Sequence, residues 1–185
     1  MSSRESALRV RALAHALTMR PLTGARGEMA ALQAVLEAAP DYFLRVTGGP
    51  PRAEAQNLFT ALPQGKTYDD KHVWGLYLGE VMIGCADVIR GYPRGDTAVI
   101  GLLLLAERWQ GRGLGRAFAA LVLRAIAQWS EIATLRIGVA ETNPRALAFW
   151  RALGFRETGE VKPAARGVVA AVRVLEKPSA SAERA

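Results

Sequence analysis

AVIGLLLLAERWQGRGLG, residues 98–115, is the stretch that decides the fold of this chain. It opens with an apolar run of strand length, which is typical of a central strand buried on both faces. It ends in three glycines, and the apolar residues that follow recur at helical spacing to about residue 130. The order strand, glycine loop, helix predicts a binding site at the carboxyl end of the strand.

The glycine loop has the features of an anion site. A helix start leaves about four main-chain N–H groups unpartnered and carries about half a positive charge. Glycines let that main chain approach a phosphate closely, so the pattern favours a pyrophosphate. Arg112 and Arg116 would share one face of the first turns, where a bound polyanion would offset their unfavourable interaction with the helix dipole. Solvated arginines and a purely structural loop remain open alternatives.

Two other nucleotide sites are excluded by spacing. No Gly-Lys-Ser/Thr tripeptide follows the loop, as an ATPase-type phosphate loop requires. The glycines also come late in the chain, whereas a dinucleotide-binding fold places them after its first strand.

A second helix start follows the next predicted strand, residues 134–140. Asn143 is a typical helix cap and Pro144 suits the first turn, where its missing N–H is not needed. Phe149 and Trp150 then lie on the inward face, and Gly154 ends the helix.

The rest of the chain completes one mixed α/β domain. A two-residue turn, Gly79-Glu80, joins two strands into a hairpin. We predict strands at 18–22, 72–78, 81–89, 155–162 and 168–175, and helices at 28–39 and 53–62. The predicted organisation is an N-terminal extension at 1–17, the domain at 18–176 and a disordered tail at 177–185.

Charge and composition narrow the classes of partner. The net charge is +7, yet the arginines are scattered and no aromatic residues interleave with them, which argues against nucleic-acid binding. Charged residues interrupt every apolar run, so no membrane span is predicted. The two histidines have no ligand-spaced partner, so we predict no metal site. The single cysteine, Cys85, excludes an intramolecular disulfide and is interpreted as a buried core residue.

The Arg-rich first 26 residues have two interpretations. They carry five arginines and one acid, which is compatible with an organellar transit peptide. We prefer an N-terminal extension on a cytoplasmic protein, because the segment lacks the uninterrupted apolar core of a secretory signal.

At these motifs the sequence resembles the GNAT superfamily of N-acetyltransferases. Gln110, Gly113 and Gly115 match the family pattern Gln/Arg-x-x-Gly-x-Gly/Ala. A second signature, an Asn followed by Ala-x-x-aromatic-aromatic-x-x-x-Gly-Phe, is met by Asn143, Ala146, Phe149, Trp150, Gly154 and Phe155. Together, in this order of strand and helix, the two signatures are specific, and the resemblance extends from about residue 18 to 175.

The resemblance implies a fold and a cofactor. It implies a mostly antiparallel sheet of six to seven strands, flanked by about four helices, with two central strands that splay apart. The cofactor would be acetyl-CoA. Its pyrophosphate would be held by main-chain N–H groups of the loop, namely those of Gln110, Gly111, Arg112, Gly113, Leu114, Gly115 and Arg116. Its pantetheine arm would pair with the strand at Leu103 and Leu105, and a main-chain N–H near Leu104 would hold the developing oxyanion. Asn143 would bond the pantetheine or the acceptor, and Phe149 and Trp150 would belong to the cofactor site.

The catalytic side chains depart from the family pattern. Relatives often carry a proton-donating Tyr where this chain has Trp150, and histone-directed relatives carry a Glu where it has Val99. Asp87, an acid within an apolar strand, is our candidate base, although an ion pair with Arg90 or a solvent-facing position is an open alternative. Glu107 is a second nearby acid. Tyr92 is our candidate replacement acid, with a plain turn tyrosine as the alternative.

Three functions follow from these observations. The first is transfer of an acetyl group from acetyl-CoA to a primary amine of a small-molecule or peptide acceptor, by direct attack in a ternary complex. The second is an acyl-CoA-binding protein without turnover. The third, a basic nucleic-acid binder, would show steep salt dependence. The sequence leaves a homodimer open.

Overall fold

The computed structural model describes residues 16–164 and 167–180. They form a seven-stranded sheet with helices on both faces. The strands are β1 (Leu17–Pro21), β2 (Lys71–Leu78), β3 (Val81–Arg90), β4 (Thr97–Leu105), β5 (Thr134–Ala140), β6 (Arg156–Lys162) and β7 (Val172–Pro178). The helices are α1 (Arg26–Glu37), α2 (Pro40–Thr47), α3 (Glu54–Thr60), α4 (Leu114–Ile126) and α5 (Pro144–Ala152), with 3₁₀ turns at Tyr68–Asp70 and Glu107–Trp109.

The strands lie in the order β1-β2-β3-β4-β5-β7-β6. Every neighbouring pair is antiparallel except β4 and β5, which are parallel. The predicted fold class, a mixed and mostly antiparallel sheet with flanking helices, is therefore confirmed.

Two apolar clusters cover the two faces of the sheet. The face packed against α4 and α5 buries Phe118, Trp150 and Phe155. The other face packs against α1, α2 and α3 and buries Leu32, Leu36 and Phe43. Among the described residues, no helix combines the length and the apolar character that crossing a membrane requires.

Helix α2 is absent from the sequence-based prediction, and it is the fifth helix where about four were expected. Pro40 and Gly48 have the composition of a loop, but Pro40 occupies the first turn of α2 and Gly48 ends it in the left-handed conformation with φ 76°. Helix α4 ends at Ile126, earlier than the predicted residue 130, and β7 lies a few residues later than predicted.

The predicted disordered tail was wrong at its first residues. Lys177 and Pro178 belong to β7, where they pair with Leu135 and Thr134, and Ser179 is buried. The N–H of Ser179 donates to the Ala133 carbonyl. The remainder of the tail from 181 and the predicted extension up to residue 15 lie outside the described residues.

Candidate functional site

The sheet opens into a wedge between β4 and β5. Their parallel pairing runs from Thr97 beside Thr134 to Ile100 beside Ile137 and stops there. At the next residue, Gly101, β4 has a bulge, because Val88 of β3 faces Ile100 while Asp87 faces Leu102. A bulge bends its strand and increases the local twist, which accounts for the divergence of β4 from β5. The wedge opens into a cavity of about 750 Å³.

The wedge exposes main-chain groups of β4 in a fixed alternation. The N–H of Ala106 donates to the Ile83 carbonyl on β3, so every second residue before Ala106 also faces β3. Leu104 therefore turns its N–H towards β3, and our assignment of that amide to the oxyanion is wrong in register. The amides of Leu103 and Leu105 face the wedge instead.

The glycine loop closes one end of the wedge. The side-chain amide of Gln110 donates to the Leu105 carbonyl at 2.8 Å, which fixes the loop to the end of β4. Gly111 and Gly113 have φ of 69° and 75°, a conformation that favours glycine. Helix α4 begins directly after Gly113, with no side-chain cap and no acid in its first turn. Its N-terminus is thus free of a competing anion from its own first turn.

The other loop residues have different surroundings. The side chain of Leu114 is fully buried in the core, so this residue can offer only its main chain. The Arg112 guanidinium lies over the Trp109 ring at 5.8 Å, and Arg108 lies over the same ring at 5.6 Å. Neither Arg112 nor Arg116 is among the residues that line the cavity, whereas Gln110, Gly111 and Gly115 are.

The second signature reaches the same cavity. Asn143 caps α5 through its Oδ1, which accepts from the Ala146 N–H at 3.2 Å. A Cβ on Gly115 would lie 3.6 Å from the Phe149 ring, so the first turn of α4 lies against the middle of α5. Trp150 lines the cavity but is 7% exposed, packed edge-on against Phe149 and Phe155. Asn143, Phe149 and Trp150 are thus brought together with the loop.

Asp87 is held in an ion pair beneath the wedge. Its Oδ1 lies 2.9 Å from the Lys71 Nζ, and both side chains are largely buried. Burial raises the pKa of Asp87, and the Lys71 ammonium opposes that shift. A Cβ on Gly101 would lie 3.1 Å from Oδ2, so the carboxylate packs against the bulge without lining the cavity. An ion pair had been an open alternative, but its partner is Lys71, since Arg90 pairs with Glu131.

Tyr92 lies at the wrong end of β4 for our assignment as the acid. It belongs to the turn that precedes β4, where its N–H donates to the Thr97 carbonyl at 2.9 Å. The wedge opens at the other end of the strand, beyond Ile100. Tyr92 is not among the residues that line the cavity.

Helix α2 forms the cavity wall that the sequence analysis missed. Asp41, Tyr42, Arg45 and Val46 line the cavity from this helix. Asp41 and Arg45 form an ion pair one helical turn apart. Pro40 at the helix start, this i,i+4 pair and the terminal Gly48-Gly49 were the signals that could have revealed it.

Neither a reactive cysteine nor a metal-binding cluster is found among the described residues. Cys85 is buried, and burial raises its pKa to about 12, so a thiolate is not available there at neutral pH. Among the described residues, no group of three or more His, Cys, Asp or Glu could hold a metal ion.

The chain is similar to proteins of one family. The acetyltransferase (GNAT) family matches residues 32–155. An acetyltransferase structure from Thermus thermophilus is 30% identical, with a TM-score of 0.67, covering 88% of this chain and 96% of that one. No curated protein matches the chain at the level of sequence.

Two further structures share the fold. The ribosomal-protein-S18-alanine N-acetyltransferase of Escherichia coli is 18% identical, with a TM-score of 0.64, covering 88% of this chain and 94% of that one. The spermidine N-acetyltransferase of Vibrio cholerae, in complex with CoA and spermine, is 16% identical, with a TM-score of 0.69, covering 91% of this chain and 99% of that one.

Proposed function

Since the chain belongs to the GNAT family of acetyltransferases, we propose that it transfers an acetyl group from acetyl-CoA to a primary amine. The acceptor would be a small molecule or a peptide, attacking directly in a ternary complex. One observation carries the proposal, namely that the main-chain amides of Leu103 and Leu105 face an open wedge that ends at an uncapped helix start.

The residues around the wedge fit acetyl-CoA. The positive φ of Gly111 and Gly113 lets the loop main chain curl at the start of α4, as a diphosphate site requires. Main-chain N–H groups from Gly111 to Gly115 would hold that group, and the β4 edge at Leu103 and Leu105 would pair with the pantetheine arm. The N–H groups of Gln110 and Arg116, which the sequence had also suggested, already donate to the Glu107 and Gly113 carbonyls. When bound, acetyl-CoA supplies an activated acyl group, a thioester.

The chain's own groups would then orient the reaction. The wedge amide of Leu103 or Leu105 would stabilise negative charge on the carbonyl oxygen. Phe149 and Trp150, packed edge to face, give one side of the cavity an aromatic lining. The described acid that lines the cavity, Asp41, is paired with Arg45, so we assign removal of the amine proton to water in the cavity. This assignment replaces Asp87, whose carboxylate is bound to Lys71.

The lining also bears on the acceptor. A polyamine needs several carboxylates, but the described cavity lining offers one, already in an ion pair with an arginine. Val46, Val168 and Val172 give the same part of the cavity an apolar character. We therefore propose a monoamine or a peptide N-terminus over a polyamine.

Release of free thiol from acetyl-CoA against a panel of amines tests the activity. The panel should contain aliphatic and aromatic monoamines, peptides with free N-termini and spermidine. Thiol release that requires a monoamine or a peptide supports the proposal, and release with spermidine alone contradicts the acceptor class. Saturable acetyl-CoA binding by calorimetry without turnover on any amine would favour the alternative, an acyl-CoA-binding protein.

We also propose a location and domain limits for the chain. A cytoplasmic location and the domain limits 18–176 are kept from the sequence, with β1 and β7 extending the ordered structure to Leu17 and Pro178. We propose that the chain has no nucleic-acid partner. Measurement of the molecular mass in solution would show whether it forms a homodimer.

A further inference from the structure

Helix α2 is fastened to the end of β4 at its first turn. The Glu107 side chain follows β4 and accepts a hydrogen bond from the Asp41 N–H at 2.8 Å. The Glu107 N–H in turn donates to the Ala38 carbonyl just before α2, also at 2.8 Å. This reciprocal pair satisfies an otherwise unpartnered N–H of the helix start and fixes α2 against the strand that carries the wedge amides.

The other end of α2 is fastened to the opposite side of the wedge. The Thr142 hydroxyl, just after β5, donates to the Arg45 carbonyl at 2.6 Å. The Val169 N–H, just before β7, donates to the Val46 carbonyl at 2.9 Å. Helix α2 is therefore a strap that bridges the wedge from the β4 side to the β5 and β7 side.

This strap carries a hydroxyl to the cavity. Among the described residues that line the cavity, Tyr42 has the only hydroxyl-bearing side chain. No side-chain hydrogen bond of its hydroxyl is found in the described part of the chain, so it is available to a bound molecule. Tyr42 packs against the apolar cluster that contains Cys85 and Leu104, and Leu104 belongs to the open segment of β4, so Tyr42 lies beside that segment.

The hydroxyl has the right protonation state to act as a donor. Burial raises the pKa of Tyr42 to about 12, so the phenol keeps its proton throughout the physiological range. A thiol has an ordinary pKa of about 8.5, so the sulfur leaves acetyl transfer as a thiolate. A neutral phenol beside a thiolate donates a charge-assisted hydrogen bond and is not deprotonated by it.

We propose that Tyr42, carried by the α2 strap, donates a hydrogen bond to the sulfur that departs during acetyl transfer, and that Glu107 is the positioning residue that holds it there. This inference rests on the proposed function. In the step, the amine nitrogen bonds to the thioester carbonyl carbon, the carbon–sulfur bond breaks, and its electron pair goes to sulfur. The amine proton passes to water, water later protonates the thiolate, and Tyr42 retains its own proton.

The test measures the pKa of the CoA thiol bound to the protein, from the ultraviolet absorbance of the thiolate over a pH titration. A hydrogen bond to the thiolate lowers that pKa, so Tyr42→Phe should raise it by about one unit. The kcat should fall roughly tenfold with little change in the KM for acetyl-CoA. Tyr68→Phe is the matched control, because Tyr68 is a surface tyrosine that is 64% exposed and lies outside the cavity lining.

Glu107 gives an independent pair of variants. Glu107→Ala removes the acceptor for the Asp41 N–H, so it should raise the bound-thiol pKa in the same direction as Tyr42→Phe. Glu107→Gln retains an acceptor oxygen and should recover most of the wild-type value. A positioning role predicts this difference, whereas a general-base role would make both variants equally inactive.

The outcomes separate this inference from the proposed function. If wild type and Tyr42→Phe bind CoA equally and show the same bound-thiol pKa, the role of Tyr42 is overturned while the proposed function stands. If wild type shows no CoA binding, both fail. A raised pKa in Tyr42→Phe and Glu107→Ala, but not in Tyr68→Phe, supports the inference.

Discussion

The two walls of the wedge are built in opposite ways. The wall proposed for the coenzyme, called the coenzyme wall, comes from one segment of the chain between Leu103 and Gly115, and it offers main-chain groups. The strap wall brings together α2, Thr142 and Val169 from distant parts of the chain, and it offers side chains. A wall of backbone suits a ligand that is constant across a family, and a wall of side chains suits a ligand that varies.

The walls also differ in what holds them. The coenzyme wall is anchored to a buried strand and to a helix whose Leu114 and Phe118 are fully enclosed. Exposed hydrogen bonds of the kind that fasten α2 are each worth about 1 kcal/mol net. We therefore expect substitutions in the first wall to act on coenzyme affinity, and substitutions in the second to act on the acceptor and, through Tyr42, on the departing sulfur.

The largest effect is expected from Gly113→Glu. The substitution places a side chain and a negative charge at the helix start, where φ is 75°. Acetyl-CoA affinity should fall roughly 1,000-fold, about 4 kcal/mol, as measured by calorimetry. Gly65→Glu is the matched control, since Gly65 also has a positive φ of 78° but belongs to the connection between α3 and β2 and not to the start of α4. Retained affinity in Gly113→Glu would contradict the coenzyme wall.

Lys71→Met tests whether Asp87 contributes to substrate binding or only to the stability of the fold. The substitution leaves a buried carboxylate without its partner, so the free energy of unfolding should fall by about 3 kcal/mol in a denaturant titration. The KM values for acetyl-CoA and for the acceptor should stay near wild type for the folded fraction. Arg20→Met is the control, because its pair with Glu80 is exposed and contributes little. An acceptor KM that rises with Lys71→Met would return Asp87 to the site.

Thr142→Val loosens the strap alone. It removes the hydroxyl that donates to the Arg45 carbonyl, a bond worth about 1 kcal/mol. Steady-state kinetics should show the acceptor KM raised by roughly fivefold, with acetyl-CoA affinity unchanged. Thr158→Val removes a comparable bond to the Val174 carbonyl, away from the strap, and should leave both constants alone. Equal effects on both substrates would show that the walls are not independent.

The smallest effect concerns pH and separates the fold from the site. The His72 ring lies against the Trp129 ring with centroids 4.6 Å apart, and burial, aided by Arg90, lowers the pKa of His72. The unfolded chain binds a proton at about pH 6.5 more readily than the folded one, so stability should decline as the pH falls below that value.

His72→Phe should flatten that decline. The measurement is the free energy of unfolding at several pH values between about 5 and 7, for wild type and variant. Identical slopes would show that His72 does not titrate differently on folding. A loss of activity at acidic pH that persists in His72→Phe would then be caused by groups at the wedge and not by unfolding linked to His72.

The strand, the loop and the helix start of the proposed coenzyme wall were predictable because their information is local. Residues 98–116 contain the strand, the loop glycines and the helix start in one stretch, and Asn143 marks the start of α5 in the same way. The sequence-based assignment of the oxyanion amide was one residue away from the amides that face the wedge. Which amides of β4 face the wedge depends on the register between β4 and β3, and the sequence of β4 alone does not reveal that register.

The strap wall was not predictable, since its contacts join segments far apart in the chain. Glu107 meets Asp41 across 66 residues, and Thr142 meets Arg45 across 97. The same limit applies to Asp87, whose partner Lys71 is set by the β2–β3 register. The assignment of Tyr92 was inconsistent with the glycine loop, which follows β4 and puts the site at the carboxyl end of that strand, whereas Tyr92 precedes the strand.

The bulge at Gly101 has a wider consequence. Removing that one residue would leave Ile100 and Leu102 as consecutive members of a regular ladder with β3, and β4 would lose the bend that parts it from β5. We expect such a deletion to let the two strands pair past Ile137, which amide hydrogen exchange at Leu103 and Leu105 would register as new protection. The presence of the wedge between β4 and β5 would then depend on the single extra residue, Gly101, that forms the bulge.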